Sequence, residues 1–212
     1  AAFMTIVGYL FWIVLATSKM ATLEPMLYNA AFILLLASPV LTMRLISEEK
    51  KSRTIELLLT SPISPAEIIL GKFLACFVLY AVLIALTLQY PLIMWYYAPN
   101  LDWGPIISGY IGLLLLGGAF ISVGVFASTL AENQIIAAMI SFGSLVLFWI
   151  FGWAKHAFEN AFGQMISNLS VFDRYSEFLR GILDSGNVVF FAVFTLTWLF
   201  LATRALESDR WR

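Results

Sequence analysis

The stretch Glu48–Phe73, EEKKSRTIELLLTSPISPAEIILGKF, places a dense group of charged and hydroxyl residues between two long apolar runs. The chain as a whole is strongly apolar, with 61% hydrophobic residues, 12% charged residues and a mean hydropathy of +0.91. Soluble domains contain about 25% charged residues and about 45–50% apolar residues. We therefore predict an all-α polytopic membrane protein in which this polar stretch joins two membrane spans.

Six apolar segments are candidate spans, since a helix needs about 20 apolar residues to cross a hydrocarbon core about 30 Å thick. They cover residues 1–16, 26–46, 66–97, 105–130, 133–151 and 188–204. No repeat or linker divides the chain, so residues 1–212 are predicted to form a single transmembrane domain. The first segment is short, does not start with methionine and lacks the cationic region of a signal peptide. We expect that the sequence lacks the natural N-terminus and the start of the first span.

The distribution of Lys and Arg predicts the orientation, because these residues are enriched in cytoplasmic loops. If residues 47–65 are cytoplasmic, that side carries Arg44, Lys50, Lys51, Arg53, Lys72, Arg204, Arg210 and Arg212. The other side carries Lys19, Lys155, Arg174 and Arg180. An even number of spans then predicts that both termini are cytoplasmic.

Two helix starts are marked by local sequence. SPAE predicts a capping box with Ser64 as the N-cap, proline at the first helical position and Glu67 three residues after the cap. TLAE repeats the pattern with Thr129 and Glu132 before the fifth span. We expect both spans to begin at sharply defined corners.

The fourth span carries small residues at intervals of four. They are Gly104/Ser108/Gly112, Gly118/Ser122 and Gly124/Ser128. Small residues let another helix approach closely in lipid, so this pattern predicts tight helix packing.

The segment 152–187 is too polar to span a membrane and too apolar to be fully solvated. Its apolar residues recur at helical spacing at Phe158, Phe162, Met165, Ile166 and Leu169, and again in EFLRGIL, residues 177–183. We predict short helices that lie on the outer face of the membrane or dip into it.

Several function classes are disfavoured by what the sequence lacks. The cores of the last four predicted spans carry no ionisable residue, whereas ion-coupled carriers and charged-ring pores place such residues at membrane depth. There is no GxxxxGK[ST] phosphate loop, so ATP-driven activity requires ATP bound by another chain. The single cysteine, Cys76, excludes an internal disulfide and a thiolate metal site, and no metal site is predicted.

An enzyme alternative arises because Glu48, Glu49 and Arg53 form EExxxR, which resembles the first motif of CAAX-type intramembrane proteases. Those enzymes activate water with glutamates and with histidines from other helices. The only histidine here is His156, which the predicted orientation places on the opposite face. General-base chemistry needs convergent partners, so this alternative is disfavoured and no catalytic residue is predicted.

The polar stretch itself predicts a docking element. Ile55 and three consecutive leucines form an apolar group surrounded by charges of both signs, between two spans and two prolines. A short helix of this kind suits docking into a protein groove. The alternative is a loop whose charges only anchor the helix ends at the headgroups.

The stretch strongly resembles the signature E-E-(K/R)-x-x-(G/R)-T-(I/L)-E-x-L-L-x-(S/T)-P-(V/I)-(S/T) of ABC-2-type permeases. These are the membrane subunits of a class of ATP-binding cassette exporters. The resemblance continues through LDWGPIISGYIGLLLLGGAF, FASTLAENQIIAA, LSVFDRYSEFLRGILDSGNVVFF and TRALESDRW. These later features are most similar to the gliding-motility-associated branch of the family.

The resemblance implies six spans with both termini cytoplasmic, a pair of permease subunits that form the translocation path, and an ATP-binding subunit under each permease. ATP and Mg would be bound by that partner, and no cofactor by this chain. The segment between spans five and six corresponds to outer re-entrant helices, and the polar stretch to the cytoplasmic coupling region. The coupling residues carried over by position are Glu48, Glu49, Lys50, Arg53, Thr54, Glu56, Leu57, Leu58 and Pro62.

The expected function is that of an exporter permease in a prokaryotic inner membrane, with membrane lipid as a partner and no nucleic acid. A non-transporting scaffold of the same fold is the alternative that the sequence leaves open. The substrate is also open, although the uncharged span interiors favour a lipidic or amphipathic cargo over a small ion.

Overall fold

A computed structural model describes residues 2–17, 22–55, 62–98, 101–153 and 170–209. Within these ranges the chain forms nine α-helices and one short 3-10 turn, with no strand. The α-helices are α1 Ala2–Thr17, α2 Glu24–Thr42, α3 Ser47–Lys51, α4 Pro65–Thr87, α5 Gln89–Tyr97, α6 Trp103–Leu130, α7 Gln134–Ile150, α8 Val171–Leu179 and α9 Ser185–Asp209. The 3-10 turn covers Phe151–Trp153 and follows α7 directly. The all-helical class predicted from composition is confirmed for the described residues.

Among the described residues, four helical stretches are long and apolar enough to cross a membrane. They are Glu24–Lys51, Pro65–Tyr97, Trp103–Leu130 and Ser185–Ser208. Two shorter apolar helical segments, Phe3–Ile13 and Gln134–Ile150, correspond to the first and fifth predicted spans. Each predicted span therefore overlaps an apolar helix, and four of them have full spanning length.

Helix α6 is the central element of the bundle. It is the most buried of the four long apolar stretches, and α9 is the least buried of them. It packs against α2, α4, α7, α8 and α9. A helix that is apolar all round and carries many small residues can be enclosed in this way, because neighbouring helices approach its backbone from every side.

The small residues of α6 allow several helices, rather than one, to pack closely against it. A Cβ atom at Gly112 would lie 2.7 Å from the Cβ of Phe178 in α8, and one at Gly124 would overlap Thr42 in α2. At Gly117 a Cβ would overlap the ring of Tyr80 in α4. The predicted stripe thus packs closely as expected, but successive turns of α6 face different helices.

The third predicted span, 66–97, is two helices rather than one. Helix α4 ends at Thr87 and α5 begins at Gln89, with Leu88 between them. Proline has no N–H, so Pro91 cannot donate to the carbonyl of Thr87 four residues earlier. The hydroxyl of Tyr110 in α6 donates to that carbonyl instead, at 3.0 Å. The break is therefore satisfied by a hydrogen bond from the central helix.

Helix α8 packs against the first turns of α6 and α2. Phe172, Tyr175 and Phe178 are buried, and the hydroxyl of Ser108 donates to the carbonyl of Phe178 at 2.6 Å. The hydroxyl of Tyr175 donates to the carbonyl of Leu27 at 3.1 Å. Burial raises the pKa of Tyr175 well above its ordinary value, so this hydroxyl stays protonated and available as a donor.

The predicted short helices in 152–187 are only partly present. Helix α8 covers residues 171–179, and EFLRGIL does not form a helix of its own, because Gly181 adopts a φ of +84° just after α8. The first amphipathic group, Phe158 to Leu169, lies outside the described residues. The described part is thus one helix packed against the bundle, followed by a turn into α9.

The helix directions define two ends of the bundle. The α3 end contains the end of α2, helix α3, the start of α4 and the junction of α6 with α7, as shown by the contacts of Thr42 with Gly124 and of Lys50 with Thr129. The opposite end contains the start of α2, the start of α6 and helix α8. All charged residues of the predicted coupling region that the structure describes therefore share one end.

Candidate functional site

We define the α3 corner as residues 43–55, residues 62–72 and residues 128–134. It comprises the turn after α2, helix α3, the start of α4 and the α6–α7 junction. Helix α2 ends at Thr42, and the side chain of Ser47 donates to the carbonyl of Met43 across the turn. This contact satisfies a carbonyl left unpaired at the end of α2 and fixes the direction in which α3 leaves.

Two hydroxyl groups close the C-terminal end of α3. The Oγ of Ser52 donates to the carbonyl of Glu48 at 2.9 Å, and the Oγ1 of Thr54 donates to that of Glu49 at 3.3 Å. The two hydroxyls also lie 2.8 Å apart. The carbonyl of Glu48 also accepts from the backbone N–H of Ser52 at 3.0 Å. The two hydroxyls therefore add side-chain donors at a helix end, where the last carbonyls are short of partners. Thr54, predicted as a partner contact, is therefore also a cap of α3.

Arg53 has a backbone φ of +58°, the only positive φ among the described residues other than glycine. The left-handed conformation costs an ordinary residue about 1 kcal/mol or more. Glycine adopts it without that cost, which explains why the resembled signature accepts Gly at this position. The Arg53 side chain is exposed, so the strained turn presents the guanidinium to the surroundings of the bundle.

Ser128 joins the α2–α3 turn to the last turn of α6. Its Oγ accepts hydrogen bonds from the backbone N–H groups of Ile46 and Ser47, at 3.0 and 3.1 Å, and donates to the carbonyl of Met43 at 3.3 Å. Ile46, Ser47 and Ser128 are all fully buried. One hydroxyl thus contacts three backbone groups, and the N–H groups of Ile46 and Ser47 would otherwise be buried without partners, which is costly.

Lys50 makes a second contact with the same helix end. Its ammonium group donates to the carbonyl of Thr129, one of the last carbonyls of α6. The C-terminus of a helix carries partial negative charge, so a cation there gains about 0.3–1 kcal/mol. Lys50 is half-buried, and its charge is directed into the protein rather than away from it.

Glu49 and Lys72 form an ion pair between α3 and the second turn of α4. Their side chains are 26% and 31% exposed, respectively. The other carboxylate oxygen of Glu49, Oε2, is buried and has no hydrogen-bond partner among the described residues. The pair connects the two sides of the polar stretch, since Glu49 precedes residues 56–61 and Lys72 follows them.

The predicted coupling residues separate into an inward and an outward group. Glu49 and Lys50 contact α4 and α6, whereas Glu48, Lys51 and Arg53 are exposed. Pro62 is also exposed, and Ile55 is half-buried against the apolar core. Glu56, Leu57 and Leu58 lie outside the described residues.

The predicted capping box at the start of α4 is present. The Oγ of Ser64 accepts from the N–H of Glu67 at 3.3 Å, and the Oε2 of Glu67 accepts from the N–H of Ser64 at 2.8 Å. Pro65 occupies the first helical position. These reciprocal contacts fix the point at which α4 begins.

The predicted box at Thr129 and Glu132 is wrong. Helix α6 continues to Leu130, so Thr129 lies in its last turn and its hydroxyl donates to the carbonyl of Phe126 at 2.6 Å. The N-cap of α7 is Asn133, whose Oδ1 accepts from the N–H of Ile135 at 2.9 Å. Asparagine is as strong an N-cap as serine, so the later residue sets the helix start.

Sequence reasoning missed Lys72 and Ser128. In the sequence, Lys72 served only to predict the orientation, although a lysine within an apolar helical run also indicates a functional position. The sequence pattern indicates Ser128 as a small residue for helix packing, but in the structure its hydroxyl makes the hydrogen bonds to the α2–α3 turn. No local pattern marks that contact, since Ser128 lies 82 residues from Ile46.

The hydrolase alternative gains no support from these contacts. Glu49 is paired with Lys72, and Glu48 is exposed on a five-residue helix. Within the described ranges, no group of three or more His, Cys, Asp and Glu side chains is placed to hold a metal ion. The described contacts of the corner join α3 and its preceding turn to α4 and α6.

A cavity lies at the opposite end of the bundle, with a volume of about 250 Å³. Its wall is formed by the apolar residues Leu23, Leu27, Ile106 and Leu179, and its rim includes Glu24, Asp102 and Arg180. Arg180 directly follows α8, the helix that packs on the first turns of α6. Helices α2 and α6 both run without a break between this cavity and the α3 corner.

Comparison with known protein families gives a match to the model described as ABC-2 family transporter protein, over residues 4–203. Comparison with curated proteins gives no match. The family match does not separate the branches of the family, so the gliding-motility branch stays a prediction. Because the match covers nearly the whole chain, this chain belongs to the ABC-2 family of transporter proteins.

Proposed function

We propose that this chain is the permease subunit of an ABC exporter and that ATP hydrolysis in a separate nucleotide-binding subunit drives it. The family makes it a membrane component of a transporter. The proposal includes export, an ATP-binding partner that binds ATP and Mg, and a second permease subunit, identical or different. It also includes the six-span topology, the cytoplasmic termini and the location in a prokaryotic inner membrane.

The observation that carries the proposal is the outward face of the α3 corner. Glu48, Lys51 and Arg53 present charges of both signs on a short helix and turn held by hydroxyl caps. Exposed charges of opposite sign support specific docking because they steer and orient a partner. A corner that only anchored the bundle at the lipid headgroups would not need a strained backbone at Arg53.

Purification of the tagged chain from its native membrane in mild detergent tests the proposal. We expect an ATP-binding cassette subunit with Walker motifs to co-purify and to be identified by mass spectrometry. Replacement of Glu48 and Arg53 together by alanine should reduce the recovery of that subunit by about tenfold or more, since charge pairs at interfaces contribute about 1.4 kcal/mol or more.

A matched control is available at the same end of the bundle. Arg204 and Glu207 form an exposed ion pair in α9, with their N and O atoms 2.7 Å apart. Replacing both by alanine removes one positive and one negative charge outside the α3 corner and should leave recovery unchanged. The proposal is contradicted if the unmodified chain recovers no ATP-binding subunit. An ATP-binding subunit that co-purifies without any ATP-dependent export would favour the scaffold alternative.

A further inference from the structure

The inward face of the α3 corner has contacts that partner binding alone does not require. Lys50 and Ser128 attach α3 and its preceding turn to the last turn of α6, and Glu49 attaches α3 to Lys72 in α4. These side chains point away from the exposed face on which Glu48 and Arg53 lie. The same five-residue helix thus has one set of side chains for its surroundings and another set for the bundle.

Helices α4 and α6, which contact α3, differ in how continuously they run to the opposite end of the bundle. Helix α6 runs unbroken from Trp103 to Leu130, whereas the α4 path is interrupted at Leu88. At its far end α6 contacts α8 directly, through the hydrogen bond from Ser108 to the carbonyl of Phe178. A Cβ atom at Gly112 would lie 2.7 Å from Phe178, so the backbones of α6 and α8 have no space between them. A displacement of the last turn of α6 therefore reaches α8 through one rigid element.

Resting on the proposed function, we propose that Lys50 and Ser128 are positioning residues that transmit movement of α3 to α6 and thereby to α8, while the Glu49–Lys72 pair keeps α3 oriented. Partner binding then depends on the outward residues, and the response to ATP depends on the inward ones. Nothing in the polar stretch itself indicates Ser128, which lies in another helix.

The small energy of the Glu49–Lys72 pair supports an orienting role, whereas Ser128 also contributes to stability because it satisfies buried backbone groups. Partly exposed ion pairs contribute about 0–1 kcal/mol to stability, so the Glu49–Lys72 pair adds little to the folded state. The buried Oε2 of Glu49, which has no partner in the described part of the chain, further reduces any gain. An ion pair that joins α3 to α4 at so little benefit to stability is suited to control the orientation of α3 relative to α4.

The experiment uses the complex of the full chain with its ATP-binding partner. The variants are Lys50→Met, Ser128→Ala and Lys72→Glu, each in a background with Cys76→Ala and with Arg180→Cys as a reporter at the opposite end. A membrane-impermeant maleimide measures the labelling rate of the reporter with and without ATP. Ser122→Ala is the matched control, because Ser122 is also buried in α6 but its hydroxyl donates only within that helix, to the carbonyl of Ala119 at 2.7 Å.

We expect the unmodified complex to show an ATP-dependent change in labelling rate of about fivefold or more, the lower end of the usual range for coupled sites. Lys50→Met and Ser128→Ala should retain the partner but lose this change, whereas Ser122→Ala should keep it. Lys50→Arg, which retains a cationic donor, should restore it. The exchange Glu49→Lys with Lys72→Glu should restore the response lost in Lys72→Glu alone.

Three results would overturn the inference. They are an unmodified complex whose reporter does not respond to ATP, inward variants that respond like the unmodified complex, and inward variants that lose the partner to the same extent as Glu48→Ala with Arg53→Ala. Should Ser128→Ala fail to fold, Lys50→Met still decides, since Lys50 is half-buried and donates to the carbonyl of Thr129. Failure of the proposed function is seen separately, because it requires that the unmodified chain recovers no ATP-binding subunit.

Discussion

The two ends of the bundle are held together by different kinds of contact. At the opposite end, buried aromatic residues of α8 fill the space above α6, and buried hydroxyls donate to backbone carbonyls. At the α3 end, two lysines, a glutamate and a serine connect short or terminal helix segments. Burial of aromatic rings is worth several kcal/mol, whereas partly exposed ion pairs are worth about 1 kcal/mol or less. From this difference we expect the ion pair at the α3 end to contribute less to stability than the buried rings at the α8 end.

The largest expected effect is at the opposite end. Phe178 is fully buried between Gly112 and Phe191, whose ring centroid lies 6.1 Å from its own. Phe178→Ala should lower stability by about 3–5 kcal/mol, because it removes a large apolar side chain and leaves a cavity. Thermal unfolding in detergent measures this effect. Phe142→Ala is the control, since Phe142 is 43% exposed and its loss should change little. Equal effects of the two substitutions would remove the basis of the comparison.

A smaller effect is expected where α4 meets α5. Tyr110→Phe leaves the carbonyl of Thr87 without its donor and should lower stability by about 1 kcal/mol, the scale of interhelical hydrogen bonds in membranes. Pro91→Ala restores an N–H that can donate to the same carbonyl. The double variant should therefore unfold at a higher temperature than Tyr110→Phe alone. A double variant no more stable than the single one would show that Pro91 does not cause the break.

The smallest effect is expected at the α3 end. Glu49→Gln removes the charge from the pair with Lys72 and should change stability by less than about 1 kcal/mol. Thermal unfolding at low and at high salt measures it, and the small difference from the unmodified chain should shrink as salt screens the pair. Glu207→Gln in the exposed pair with Arg204 is the matched control. A loss comparable with that of Phe178→Ala would show that the α3 end is as important for stability as the α8 end.

Much of the helix pattern follows from local sequence. The apolar runs predict the helices because their lengths fit a bilayer, and SPAE predicts the start of α4 because both partners of the capping box lie within four residues. The same rule failed at TLAE, where α6 continues through Thr129 and Asn133 provides the cap. The rule recognises a local hydrogen-bond pattern, but two adjacent candidates compete and packing of the preceding helix decides between them.

The coupling region stays a prediction, and the sequence did not indicate which of its residues face the bundle. Sequence placed Glu48, Glu49, Lys50 and Arg53 in one coupling region with no means of telling inward from outward residues. A helix of five residues is too short for a hydrophobic pattern to indicate its buried face. The partners that distinguish the residues are Lys72 for Glu49 and the carbonyl of Thr129 for Lys50, and both belong to other helices.

The sequence by itself determined the all-helical class, the approximate helices and the polar stretch that resembles the family signature, because hydrophobic length, helix caps and motif spacing are local properties. Only the tertiary structure decided which small residues of α6 face which helix, that Tyr110 completes the break before Pro91, and that Lys50 and Ser128 connect α3 to α6. These contacts join groups far apart in the chain, and their positions depend on how all the helices pack together.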